Sequence, residues 1–227
     1  MKQLILDISP VPSPSLANFV AGRNAELVQL LHLMADASAP ERFVYIWGES
    51  GSGKSHLLKA LTGEVEKHGS RAIYLDALAQ HELDPELLDG AAVAVDNVDS
   101  LNEEAQIALF SLYNRIREGQ GMLLVSGPCA PAQLGLRQDL VTRLGWGLVY
   151  QVQGLSDEEK VEALKTHAKE RGFELSREVA DYLLRHWRRD LPSLLVMLDA
   201  LDRYSLQTKR PVTLPLLRQV LQPADIA

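Results

Sequence analysis

The sequence predicts an α/β chain in two parts, a five-stranded parallel sheet flanked by helices and then a small all-helical domain. Three observations carry this prediction. Five short apolar runs alternate with segments of helical period, which implies right-handed crossovers and a parallel sheet covered on both faces. A glycine-rich loop joins the first run directly to a helix. No strand-like run follows Gly154, beyond which only helical patterns remain.

In chain order, residues 1–8 read as a separate short element. Residues 9–15 form a linker in which Pro10, Pro12 and Pro14 remove backbone donors and keep the chain extended. The α/β domain is assigned to 16–154 and the helical domain to 155–227. A helix-like stretch from Asn24 to Met34 precedes the first strand, Phe43–Trp47, which is short, apolar and aromatic. Similar runs follow at Ala72–Leu75, Ala91–Val95, Met122–Val125 and Leu148–Val152. Between the third and fourth, Ala105, Ala108, Leu109, Leu112 and Ile116 form one stripe of a helix over 102–117. In the second domain Ser156 and Glu159 make a capping box for a helix that Gly172 closes. Helices are then predicted over 176–188, 191–205 and 214–221. Trp47, Trp146 and Trp187 read as packing residues.

The totals narrow the function classes. With 227 residues, 46% of them hydrophobic, the chain can bury a substantial core. A formal net charge of −7 supplies no bulk positive field for a nucleic-acid backbone, so wholesale DNA binding is disfavoured. The single cysteine, Cys129, cannot form an internal disulfide, and no Cys or His cluster has metal-ligand spacing. Neither an export signal nor an apolar run of about 18 residues occurs, so a cytoplasmic location is expected.

The strongest motif is Gly48-Glu49-Ser50-Gly51-Ser52-Gly53-Lys54-Ser55, which fits G-x-x-x-x-G-K-[ST] in full. It follows a predicted strand and precedes a helix carrying Leu57, Leu58, Leu61 and Val65, the context this phosphate-binding loop requires. Its glycines let backbone N–H groups turn inward toward phosphate oxygens, and the helix N-terminus adds positive potential. Lys54 is expected to reach the outer phosphates and Ser55 to ligand Mg²⁺. The loop reads phosphates and is silent about the base.

The third predicted strand runs straight into Asp96, a carboxylate placed to hold Mg²⁺ or its water shell. The next residue is Asn97, which cannot accept a proton at neutral pH, and Asp99 could replace it only by reshaping the turn. Slow or absent intrinsic hydrolysis is therefore expected. Ser126 ends the fourth strand with a hydroxyl that suits either the γ-phosphate position or an ordinary turn.

Several stretches in this order resemble the AAA+ domain of the bacterial replication initiator DnaA and, most nearly, the short Hda-type regulatory branch of that family. They are Asn18–Gly22, Lys54–Leu58, Val95–Val98, Asp139–Leu144 with Trp146 and Gly147, and Leu155–Lys160. The resemblance implies an AAA+ fold with a helical lid, and a nucleotide held by the loop together with His56, Asn18 and Phe19. It places Arg143 at the arginine finger that enters a neighbouring subunit's site, with Arg137 as the nearby competitor; a surface or intradomain ion-pair residue is the other reading of Arg143. Pro192 stands where family members carry a lid arginine; Arg188 and Arg189 read first as exposed helix-end cations, with replacement of that arginine by one of them as the other reading. With Asn97 and Pro192 both unfavourable to turnover, a nucleoside diphosphate, ADP, with Mg²⁺ is expected as a structural ligand.

Relative to DnaA, the sequence has only lid helices after Gly154, so sequence-specific DNA reading is not expected. Gln3-Leu4-Ile5-Leu6 is similar to the peptide by which replication proteins dock on the sliding clamp, and it also fits an alternating strand that opens the fold. The implied partners are DnaA, the clamp and further copies of this chain, as a homodimer or a higher homo-oligomer. The reading is an adaptor that promotes hydrolysis of ATP bound to DnaA; the rival is a self-contained ATPase of the helicase-loader type. A small-molecule phosphotransferase would need a lid with clustered arginines, which is missing.

Overall fold

The computed structural model describes residues 13–79, 83–86, 88 and 90–221. Two compact units meet in sequence at Gly154 and Leu155. The first, Pro14–Gly154, is an α/β layer structure. Its strands are β1 (Phe43–Trp47), β2 (Ala72–Asp76), β3 (Ala92–Asp96), β4 (Met122–Gly127) and β5 (Leu148–Gln151). They form one sheet in the order β2-β3-β4-β1-β5, and every neighbouring pair is parallel.

The strand runs are apolar throughout because both faces of the central strands are covered. Phe43, Tyr45, Val93, Val95, Leu123 and Val125 point into one core with α3 (Glu103–Glu118) and α4 (Gln138–Leu144). Val44, Ile46, Ala92, Ala94 and Leu124 point into the other with α1 (Ala25–Ala35) and α2 (Lys54–Lys67). The period-2 alternation thus separates two helical layers rather than a wet face from a dry one. α3 begins where the Asn102 side chain accepts from the Ala105 N–H, a cap that satisfies one of the first-turn donors.

The second unit, taken over residues 155–221, contains α5 (Asp157–Glu170), α6 (Arg177–His186), α7 (Leu191–Thr208) and α8 (Leu214–Leu221). Both hydrogen bonds of the Ser156–Glu159 capping box are formed. Leu164, Leu183, Leu194, Leu198 and Leu217 are fully buried in a core of its own. The fold class is the predicted one. Among the differences are α4, a seven-residue helix without a side-chain cap that has too little length for a periodic signal, α6, which stops two residues before the predicted end, and α7, which runs three residues past its own. No helix among the described residues is long and apolar enough to cross a membrane.

Candidate functional site

Because β1 lies between β4 and β5, the loop that leaves its C-terminal end lies beside the ends of those two strands. Residues 48–53 make that loop and α2 starts at Lys54. Two glycines are required by close approach: a Cβ on Gly48 would lie 2.5 Å from the Val152 carbonyl oxygen, and one on Gly53 2.7 Å from Phe19 Cε2. Gly53 also has φ +104°, a left-handed conformation that L-residues avoid. The Lys54 ammonium donates to the carbonyls of Gly48 and Glu49 at 2.8 and 2.9 Å, which draws it across the loop. Burial pushes the Lys54 pKa down, opposed by the charges of Asp96 and Asp99. Ser52 is buried, yet its hydroxyl has no hydrogen-bond partner. A buried hydroxyl without a partner costs free energy, so this loop is suited to receive one from a ligand.

The chain before α1 wraps this loop. Phe19 covers Gly53 and lies with its ring 5.4 Å from that of His56, whose Nε2 is 3.0 Å from the Ser15 carbonyl oxygen. Asn18 and Ser15 exchange backbone-to-side-chain hydrogen bonds, which fixes the turn that presents Phe19. Asn24, buried, bonds both backbone groups of Gln153. Thus Asn18, Phe19, His56 and the 48–55 loop come together at one end of β1. Gln3, Leu4 and Leu6 lie outside the described residues.

Two strands away, Asp96 is only 1% exposed and its carboxylate is well supplied with donors. The Tyr74 hydroxyl donates to Oδ2 at 2.8 Å, the Ser126 hydroxyl makes a short hydrogen bond to Oδ1, and the Asn97 N–H adds a third at 3.2 Å. Ser126 is fully buried in this network. Burial, followed by the bond to Asp96 and the nearby charges of Asp96 and Asp76, holds the Tyr74 hydroxyl far above the ordinary phenol pKa. Asn97 itself is left-handed, φ 56°, and its amide donates to Asp76 Oδ1 at 2.9 Å. The residue after Asp96 is therefore a hydrogen-bond donor tied to β2. Asp99 is exposed in the following 3₁₀ turn. Sequence reasoning missed Tyr74 and Asp76. The parallel register sets Asp76 opposite Asp96 and Tyr74 one same-face step behind, so paired strand-ending aspartates were the available signal.

Arg143 sits elsewhere. It lies in the last turn of α4 with its guanidinium carbon 4.0 Å from the Trp146 ring centre, 5.5 Å from that of Phe110 and 5.7 Å from that of Tyr113. Tyr113 in turn stacks on Phe43, the first residue of β1, with ring centres 4.1 Å apart. Arg143 is therefore on the side of Phe43, at the end of β1 opposite the loop after Trp47, and β1 itself spans four steps of about 3.3 Å, roughly 13 Å. No carboxylate among the described residues pairs with Arg143. Arg137, by contrast, is engaged by Asp139 at 2.9 Å and by Glu103 at 3.7 Å. Trp146 departs from the packing role expected for it: it is 58% exposed, while Trp47 and Trp187 do pack against the cores of their own units.

In the helical unit, Asp190 caps α7 and Pro192 occupies its first turn, where the missing N–H costs nothing. Arg189 makes a two-oxygen contact with Asp157 at 2.7 Å, and Arg188 is exposed.

Residues 13–151 match the bacterial DnaA ATPase domain, and residues 157–221 match the Hda lid domain. Among solved structures, domain III of the Thermotoga maritima replication initiation protein DnaA is similar, with a TM-score of 0.69 and 22% identity over 95% of this chain and 100% of that one. AMPPCP-bound DnaA from Aquifex aeolicus is similar at 25% identity and a TM-score of 0.65, over 87% of this chain and 70% of that one. A replication initiator DnaA bound to AMPPCP and single-stranded DNA gives 24% identity and a TM-score of 0.67, over 86% and 69%.

Proposed function

This chain belongs to the DnaA-related AAA+ family and carries an Hda-type lid, and from that premise we propose that it is a nucleotide-bound regulatory adaptor of replication initiation. In this reading it docks on the sliding clamp through Gln3, Leu4 and Leu6 and promotes hydrolysis of ATP bound to DnaA. The observation that carries it is the separation of Arg143 from its own phosphate loop. A guanidinium toward the opposite end of β1, unpaired with any described carboxylate, is available to another molecule's phosphates and not to those at Gly48–Ser55.

The chain's own site is the binding half of this account. Two similar DnaA structures hold the nucleotide analogue AMPPCP, and the partnerless Ser52 hydroxyl supports a phosphate ligand here. Backbone N–H groups of the loop and Lys54 would hold the phosphates, and Phe19 and His56 would border the nucleoside. ADP with Mg²⁺ suits the site as a structural ligand. Ser55, exposed in the first turn of α2, would hold the ion. Asp96, whose oxygens already accept three hydrogen bonds, would steady the ion through its water shell. Asn97 offers an amide donor where a base would be needed, so the chain turns over its own ATP slowly.

The test is two-sided. The protein with DNA-loaded clamp is expected to speed the decay of labelled ATP on DnaA, while alone it consumes ATP far more slowly than a motor. Rapid turnover without DnaA would instead establish the self-contained ATPase.

A further inference from the structure

The aromatic surroundings of Arg143 have a chemical consequence. A guanidinium has two π faces and, in its plane, five N–H donors. The guanidinium carbon lies over the Trp146 ring, 4.0 Å from its centre, and Phe110 and Tyr113 lie further off at 5.5 and 5.7 Å. Such stacking restrains the side chain without engaging the in-plane donors, whereas a carboxylate partner would consume them, as Asp139 does for Arg137. Local backbone geometry makes the stack a built feature. Gly145 ends α4, and the Trp146 N–H donates to the carbonyl of Arg143 itself at 3.1 Å, so the turn that stops the helix swings the indole beside the guanidinium. The indole itself is 58% exposed, so the stack lies at the surface.

We propose that Trp146 is a positioning residue: it holds the Arg143 guanidinium by its face, with the N–H edge presented to the phosphates of a nucleotide on a neighbouring AAA+ molecule. This rests on the trans-acting reading of Arg143. Trp146 touches no phosphate; it raises the fraction of time Arg143 spends in the presenting rotamer. Losing it lowers the maximal rate rather than the affinity for the partner.

The experiment compares Trp146→Leu, Trp146→Phe, Arg143→Ala and the Trp146→Leu/Arg143→Ala double variant in single-turnover hydrolysis on DnaA across a range of protein concentrations. Trp146→Leu is expected to lower the saturating rate by about three- to tenfold, the size of an exposed-to-partly-buried cation–π contact, with half-saturation unchanged. Trp146→Phe restores most of it, and Trp146→Leu adds nothing once Arg143 is removed. Side-chain NMR of Arg143 in the isolated protein gives an independent readout, since the Arg143 Nε–H resonance leaves its ring-shifted position in Trp146→Leu and not in Trp146→Phe. Equal saturating rates for wild type and Trp146→Leu, or a loss that Phe fails to rescue, overturn the proposal. A silent Arg143→Ala defeats the underlying reading instead, and the NMR result then stands by itself.

Discussion

Tyr74→Phe isolates one bond of the Asp96 network and leaves the ring in place. In the native protein the hydroxyl donates to Asp96 Oδ2 at 2.8 Å, and the acceptor is a carboxylate only 1% exposed. A hydrogen bond to a charged group contributes about 1.5–3 kcal/mol, and Tyr74 is half-buried, so partial rehydration of Asp96 places the expected loss near the lower end, about 2 kcal/mol at pH 7. The pH dependence follows from the raised pKa of Tyr74. Above about pH 10 the unfolded chain releases the phenolic proton while the folded chain keeps it, so the unfolded state binds fewer protons and stability falls as pH rises. That slope is about 1.4 kcal/mol per pH unit for one group, and the Tyr74→Phe change removes it. The stability gap between wild type and Tyr74→Phe is therefore constant from pH 7 to 9, narrows above 10 and closes at about pH 11.5. Urea denaturation of both proteins at pH 7, 9, 10 and 11 measures it. Equal stability at pH 7, or a gap that stays constant to pH 11, would refute the assignment of the Tyr74–Asp96 bond.

Two further perturbations address the binding regions. Lys54→Ala is expected to abolish or strongly weaken nucleotide binding, and to remove the rise in melting temperature that added nucleotide gives wild type, because a ligand that binds only the folded state stabilises it by mass action; undiminished binding by isothermal titration would take Lys54 out of the site. Replacing both Leu4 and Leu6 with alanine should eliminate clamp binding in a surface-capture assay with nucleotide affinity unchanged, since the proline-rich linker separates the two regions; a variant that still bound the clamp would return residues 3–6 to the strand alternative.

The parts of the fold that were legible are those written in local pattern. β1 has the predicted bounds because a five-residue apolar run between a charged pair and a glycine loop admits little else. The Ser156–Glu159 box is a reciprocal side-chain and backbone pairing whose chemistry lies within four residues. The phosphate loop is likewise contiguous. What escaped is held together across strands or by exposure. The Tyr74 hydroxyl meets Asp96 only because β2 and β3 pair in parallel with Asp76 opposite Asp96, and Ala72–Leu75 by itself reads as core. The same register assigns Asn97 to Asp76, a partner 21 residues earlier. α4 has no separate sequence signal because seven residues give two turns and Arg137 offers no cap. Trp146 departs from expectation for a different reason: residue type does not reveal that an indole will stack on a neighbouring guanidinium at the surface rather than enter the core.

The central claim is that this chain supplies Arg143 to a nucleotide it does not itself bind. Single-turnover hydrolysis of labelled ATP on DnaA, with DNA-loaded clamp and either wild type, Arg143→Ala, Arg143→Lys or Arg137→Ala, tests it directly. Arg143→Ala is expected to retain its own nucleotide and the clamp yet lose stimulation by roughly a thousandfold or more, the worth of an arginine supplied in trans. Arg143→Lys rescues poorly, because a point charge lacks the planar fork, and Arg137→Ala behaves as wild type because its guanidinium is committed to Asp139. Full stimulation by Arg143→Ala, or a loss that appears in Arg137→Ala instead, would contradict the account.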